Sequence, residues 1–147
     1  DEAKVTLIKV ADKPGVAANI FGPLADTNIN VDMIVQNVSE DGSVTDMTFT
    51  VPDADLAKAL AVLEKSKQDI GYEVAQNDPG MVKVSVVGIG MRSHAGVAST
   101  AFQALADKGI NIRAITTSEI KISILIDSDY SELAVRTLHS VYGLDKT

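Results

Sequence analysis

The chain has 147 residues, no cysteine and a formal net charge of −7, without any block of Lys or Arg. The absence of cysteine excludes disulfides and thiolate sites, and it is typical of a protein of the reducing cytoplasm. The acidic balance disfavours nucleic acid and anionic membranes as partners. No apolar run reaches the roughly 18 residues that a membrane helix needs, and the length suits one ordinary domain or two small ones.

An internal repeat divides the sequence. Gly15-Val16-Ala17 recurs as Gly96-Val97-Ala98, and Ile29-Asn30 recurs as Ile110-Asn111. Both pairs are separated by 81 residues, so the match needs no gap. Self-similarity at a fixed spacing is the sign of a duplicated unit. We therefore expect two copies of one unit along the chain.

The first copy, residues 1–78, has the pattern strand, helix, strand, strand, helix, strand. Asp41-Gly42 forms the turn between its second and third strands. The clean alternation from Val44 to Val51 predicts Met47, Phe49 and Val51 on one side of the third strand. The predicted elements are strand 4–10, helix 16–27, strand 31–39, strand 44–51, helix 53–69 and strand 72–76.

The second copy, residues 81–147, repeats this order without the last strand. Asn77-Asp78-Pro79-Gly80 reads as the linker between the copies, and Asp129 with Glu132 reads as the capping box of the final helix. A βαββαβ order predicts an α+β, ferredoxin-like fold, an antiparallel sheet with both helices on one face. The predicted elements are strand 82–88, helix 96–108, strand 111–118, strand 121–127 and a helix from 129 to about 142.

The loop from Asp12 to Ala17 is the first candidate site. Gly15 can take a positive φ, and the Val16 and Ala17 amides should be unpaired donors at a helix N-terminus that favours an anion. Asp12 supplies a carboxylate beside them. An anion-seeking helix end next to a carboxylate suits a free α-amino acid. The simpler alternative is a strand-to-helix turn with Asp12 as its N-cap.

Residues 92–98 occupy the corresponding place in the second copy. The strands that follow the two helices carry polar residues where a buried strand would be apolar: Gln36 and Ser39 in the first copy, Thr117 and Ser118 in the second. Half-exposed strands would explain them. Their position beside two helix ends favours pockets with a few placed polar groups.

Catalytic signals are weak. His94 and His139 lie in different predicted elements, and no nucleophile elbow accompanies them. Gly88–Ser93 follows a strand and is similar to a dinucleotide-binding loop, but serine replaces the third glycine. A metal at His94 with Asp12 or Asp32 lacks a second ligand pair at a typical spacing. We therefore expect no catalytic residue, no metal and no cofactor.

The two copies resemble ACT domains, which are small-molecule-sensing modules that usually bind amino acids. The segments VDMIVQN (31–37) and SEIKIS (118–123) resemble the regulatory region of aspartokinases in particular, and the resemblance extends over essentially the whole chain. In that family the region follows the kinase domain or is made separately as a β subunit. It binds lysine, threonine or both, and it transmits feedback inhibition.

The resemblance implies two effector sites, a homodimer, and an aspartokinase catalytic domain or α subunit as partner. The threonine-type site would use Asp12, Gly15, Val16, Ala17 and Gln36, completed by Asn111 and Ile112 of the facing domain. The second site, where family members place lysine, would use Met91, Ser93, His94, Val97, Thr117 and Ser118, with Asp32 and Ser39 reaching across.

Family chains also have a strand before the stretch equivalent to Glu2-Ala3-Lys4, and it completes the second ACT sheet. The sequence starts after that strand, so we expect a truncated regulatory region. Two alternatives are a free-standing amino-acid-binding or dimerisation module and the ACT pair of another amino-acid pathway enzyme, such as homoserine dehydrogenase.

Overall fold

The computed structural model describes residues 1–39, 41–87, 94–118 and 121–142, except for the side chains of residues 94 and 95. The chain divides into two compact units, Asp1–Gly80 and Met81–Thr147. Within the described ranges, no helix is both long and apolar enough to cross a membrane.

The strands of the first unit are β1 (Glu2–Ala11), β2 (Asp32–Val38), β3 (Val44–Pro52) and β4 (Val74–Val87). Their order across the sheet is β2-β3-β1-β4, so β1 is central, as its apolar sequence predicts. β3 runs antiparallel to both β1 and β2. It follows that β1 and β2 run in the same direction and end on the same side of the unit.

A β-bulge bends β1 before its end. The pairing with β3 shifts between Leu7 and Val10, and Lys9 has a left-handed φ of 56°. The Asp46 carboxylate accepts a 2.9 Å hydrogen bond from the backbone N–H of Lys9. Bulges redirect the residues that follow them. This one sets the direction in which the chain leaves β1.

The helices of the first unit are α1 (Val16–Asp26), α2 (Leu56–Lys65) and α3 (Lys67–Ile70), with a 3₁₀ turn at Asp53–Asp55 before α2. The single predicted helix 53–69 is therefore wrong in detail, because it begins as a 3₁₀ turn and is interrupted at Ser66.

The core of the first unit lies between the helices and one face of the sheet. Met47, Phe49 and Val51 are all buried on that face, which confirms the alternation read from the sequence. The ring of Phe21 meets that of Phe49 edge-on, with 5.3 Å between centroids. The buried residues of α1 are Val16, Ile20 and Leu24, whereas Ala17 is exposed.

The predicted linker at Asn77–Gly80 is not a loop, because these residues lie inside β4. The boundary between the two compact units nevertheless falls directly after Gly80. The backbone N–H of Gly80 donates to both carboxylate oxygens of Asp53, at 3.2 Å each. Gly80 has a φ of 72°, so the glycine absorbs a local distortion without ending the strand. Turn-forming residues here mark an irregular strand rather than a break between strands.

The second unit contains the end of β4 together with β5 (Ala114–Thr117), β6 (Lys121–Asp127), α4 (His94–Asp107) and α5 (Ser131–Val141). β6 lies between β4 and β5 and is antiparallel to both. The described residues include no fourth strand of this unit. Its buried core comprises Ala101, Leu105, Ile110, Ile122, Ile124, Ile126, Ala134 and Leu138.

Two predictions for the second unit need correction. The strand predicted from Asn111 begins only at Ala114. The capping box at Asp129 does not form, because a 3₁₀ turn over Ser128–Tyr130 places Tyr130 at the N-cap of α5, with no side-chain cap bond. The 3₁₀ turn shifts the start of the helix past the aspartate.

Candidate amino-acid site

The loop between β1 and α1 ends in Gly15, which is the N-cap of α1 with a left-handed φ of 88° and no side-chain cap. The alternative in which Asp12 caps the helix is therefore wrong. The Val16 amide is also not unpaired, because it donates to the Lys13 carbonyl at 3.2 Å. The Ala17 amide follows in the first turn, where helix N–H groups have no acceptor within the helix.

Asp12 is exposed and anchored through its backbone. Its N–H donates to the Ser43 carbonyl at 3.2 Å. Its carboxylate makes no hydrogen bond or ion pair to any residue that the structure describes. The side chain is therefore available to a ligand, and its carboxylate can accept hydrogen bonds from an ammonium group.

The topology brings Gln36 to the same end of the unit as Asp12. β1 and β2 run in the same direction, and α1 begins where β1 ends. Gln36 lies in the second half of β2, opposite Met47, and all residues from Ile34 to Val38 are exposed. A helix N-terminus, a carboxylate and an amide side chain thus share one end of the unit.

Asp32 and Ser39 lie at opposite ends of β2. Asp32 pairs with Thr50 at the start of the strand, and its carboxylate accepts a 2.8 Å hydrogen bond from the N–H of Met33. Met33 has a φ of 48°, which marks a second bulge. The structure therefore separates Asp32 from the end of the unit that carries Asp12 and Gln36.

Ser39 belongs to a hydrogen-bonded hairpin turn. The Asp41 carboxylate accepts bonds from the Ser39 hydroxyl at 2.8 Å, the Ser43 N–H at 3.0 Å and the Ser43 hydroxyl at 2.7 Å. These bonds, those from Ser43 first, lower the pKa of Asp41 from 3.8 to about 2. Sequence reasoning missed Asp41 as a site neighbour. The sequence does contain a signal for this role, because Ser39 and Ser43 each lie two residues from Asp41, a spacing at which an aspartate side chain forms local hydrogen bonds in a turn.

In the second unit, β4 and β5 end on the same side, where α4 begins. Thr117 is exposed at the end of β5, and the Ser118 N–H donates to the Lys121 carbonyl at 2.7 Å. Val97 is half-buried in the first turn of α4, and its carbonyl accepts a 2.7 Å bond from the Tyr142 hydroxyl. Val97, Thr117 and Ser118 therefore lie toward one end of this unit.

The other predicted residues fall elsewhere. Asn111 is exposed and Ile112 half-buried in the connection between α4 and β5, at the opposite end from Thr117. Met91 and Ser93 lie outside the described residues, as does the side chain of His94.

The two helix starts also differ, although the sequence repeats. Gly15 precedes α1, whereas Gly96 lies inside the first turn of α4. The repeat in the sequence therefore does not extend to the local structure of the two helix starts.

An apolar groove of about 500 Å³ lies between the second half of β4 and α5. Val82, Val84 and Val86 of the strand line it, with Val135 and Leu138 of the helix. Burial raises the pKa of Tyr142, which also borders it. Among the described residues, no group of three or more histidine or acidic side chains could hold a metal ion.

Comparison with known proteins shows the family. Residues 4–68 and residues 84–142 each match the ACT domain. Aspartokinase of Pseudomonas aeruginosa is 54% identical over 145 residues, 99% of this chain. The chain spans only about a third (35%) of that relative's length.

Solved structures agree along nearly the whole chain. One, of aspartokinase alpha and beta subunits, has a TM-score of 0.86 at 48% identity, and the match covers 97% of this chain and 93% of that one. The regulatory subunit of aspartate kinase from Thermus thermophilus has a TM-score of 0.84 at 42% identity, with the same two coverages, 97% and 93%. The chain therefore belongs to the ACT domain family and is a regulatory ACT pair of the aspartokinase type.

Proposed function

We propose that this ACT pair binds threonine, lysine or both and thereby inhibits the phosphorylation of aspartate by an aspartokinase. The observation that carries the proposal is the free Asp12 carboxylate beside the start of α1, at the same end of the unit as Gln36. An α-amino acid carries an ammonium group for the carboxylate and a carboxylate for the helix N-terminus.

The proposal assigns the two domains to residues 1–78 and 81–147. In the first site, Asp12, Gly15, Val16, Ala17 and Gln36 contact the effector, and Asn111 and Ile112 complete the pocket from a facing ACT domain. The second site uses Val97, Thr117 and Ser118 with Met91, Ser93 and His94. Feedback inhibition requires that the effector bind the inactive arrangement of the enzyme more tightly than the active one.

The proposed partners are a second copy of the chain and an aspartokinase catalytic domain or α subunit, in the cytoplasm. The free edge of β2 supports self-association. Ile34, Val35 and Val38 on that strand are exposed by 51%, 37% and 49%. Among the strands that the structure describes, β2 has a neighbour on one side only. An apolar edge strand is a template for pairing with another chain, and a homodimer would use it with two-fold symmetry.

Thermal unfolding with each amino acid tests the proposal. A ligand present at 100 times its Kd should add about 2.7 kcal/mol to the free energy of unfolding. The D enantiomers at equal concentration serve as controls for solvent effects. A melting temperature that stays constant in millimolar threonine and millimolar lysine would refute it and favour a dimerisation module.

A further inference from the structure

We propose that Asp41 and Asp46 are positioning residues for the amino-acid site, holding the end of β1 so that Asp12 stays beside the start of α1. This inference rests on the proposed function, because Asp12 is taken as the residue that meets the ammonium group. Both aspartates belong to the β2–β3 hairpin, and neither needs to touch the ligand.

Asp46 acts on the bulge. The shift between Leu7 and Val10 removes Lys9 from the regular pairing of β1 with β3. Its N–H would then lack an acceptor in the sheet, and the Asp46 carboxylate provides one at 2.9 Å. The left-handed φ of 56° at Lys9 costs energy in a non-glycine residue, so the conformation needs such support.

Asp41 acts on the loop through Ser43. Its carboxylate accepts the N–H and the hydroxyl of Ser43, at 3.0 and 2.7 Å. The Ser43 carbonyl in turn accepts the N–H of Asp12 at 3.2 Å. A continuous chain of hydrogen bonds thus runs from the turn to the candidate ligand-binding residue.

A carboxylate suits the role of Asp41 because it only accepts, and its Oδ1 receives all three hydrogen bonds from Ser39 and Ser43. Its low pKa, about 2, keeps it ionised at any working pH. The amide of asparagine retains one oxygen acceptor and loses the charge. Asparagine therefore distinguishes positioning, which needs the acceptor, from attraction of the ammonium by negative charge.

The test compares Asp41→Ala, Asp41→Asn and Asp46→Ala with the wild-type chain in calorimetric titrations with threonine and lysine. Asp26→Ala is the matched control, since Asp26 is an exposed aspartate of the same unit whose carboxylate makes no bond to a described residue. The reporting amino acid is the one whose binding is lost in Asp12→Ala. The exchange rates of the Asp12 and Lys9 amide protons, measured by NMR, give a readout that does not depend on the ligand.

We expect Asp41→Ala and Asp46→Ala to weaken the binding of the reporting amino acid by about tenfold in Kd, which corresponds to the loss of one hydrogen bond. Asp41→Asn should stay within about threefold of wild type and Asp26→Ala should equal it. The Asp12 amide should exchange faster in Asp41→Ala, and the Lys9 amide in Asp46→Ala.

The inference is overturned if both alanine variants bind as wild type does, or if Asp41→Asn is as weak as Asp41→Ala. An equal loss of affinity for threonine and for lysine would also overturn it, because that result indicates a general loss of structure. If the wild-type chain binds neither amino acid, the proposed function fails instead. Faster exchange in the alanine variants would then still support the hydrogen-bond chain.

Discussion

The Tyr142 hydroxyl donates a 2.7 Å hydrogen bond to the Val97 carbonyl, which joins the end of α5 to the first turn of α4. Val97 is one of the residues that we propose for the second amino-acid site. The bond therefore links the stability of the second unit to the position of that site.

Replacing Tyr142 by phenylalanine should lower the free energy of unfolding by about 1 kcal/mol, since it removes one hydrogen bond and keeps the ring. Tyr130→Phe is the control, because Tyr130 is 39% exposed and its hydroxyl makes no hydrogen bond to a described residue. Urea unfolding of both variants measures the difference, and equal midpoints would contradict the prediction.

The burial of the Tyr142 phenol should appear in the pH dependence of the free energy of unfolding. Burial raises the pKa of Tyr142 above its ordinary value of 10.0, so folding favours the protonated phenol. Its contribution is complete below pH 10 and is lost as the pH rises toward the folded pKa. The wild-type chain should therefore lose more stability above pH 10 than the Tyr142→Phe variant does.

A second prediction concerns the glycines at the start and in the middle of α1. Gly15→Ala should cost about 1 kcal/mol, because φ is 88° there although no atom lies within 4 Å of the added Cβ. A Cβ added at Gly22, inside the helix, also has no atom within 4 Å, so Gly22→Ala should raise the free energy of unfolding by about 0.5 to 1 kcal/mol. Thermal unfolding measures both changes, and equal effects would show that the conformation of Gly15 is not strained for alanine.

A third prediction uses Ser118, which is exposed after β5. Ser118→Phe should fill the second site and abolish binding of its amino acid without destabilising the fold. In an intact aspartokinase the same change should give feedback resistance with catalysis retained. Ser140→Phe, at an exposed position on α5, is the control. Loss of catalysis with Ser118→Phe would mean that the serine supports the fold.

A fourth prediction concerns the edge of β2. Ile34→Lys should shift the chain from dimer to monomer in sedimentation experiments at tens of micromolar, because a lysine opposes pairing at an apolar edge. Val141→Lys, which replaces another exposed apolar residue, 41% exposed, should leave the dimer intact. Threonine or lysine should tighten the wild-type dimer by reciprocal linkage. A wild-type monomer unchanged by saturating ligand would contradict the prediction.

Much of the fold could be predicted because it depends on local patterns. The strand predicted at 121–127 agrees with β6 (Lys121–Asp127), and α1 begins at Val16 as predicted. Alternation in a strand and apolar spacing in a helix depend on neighbouring residues, which the sequence displays directly.

The errors arise where distant residues decide the structure. Gly80 stays inside a strand because Asp53 binds its N–H. Lys9 adopts a bulge that Asp46 completes, although 37 residues separate the two in sequence. Composition around Gly80 favours a turn, and nothing near Lys9 predicts a left-handed residue. Asp12 could be proposed as a site residue from its own loop, whereas the link from Asp41 to Asp12 runs through the Ser43 carbonyl, which is distant in sequence from Asp12.

The most direct test of the amino-acid site is calorimetric titration of the chain with the common amino acids, one at a time, repeated on Asp12→Ala. We predict saturable binding of threonine, lysine or both to the wild-type chain. Asp12→Ala should lose one of these amino acids and keep an unchanged melting temperature, because Asp12 is exposed and its carboxylate supports no described contact. Binding of no amino acid, or unchanged binding in Asp12→Ala, would contradict the account.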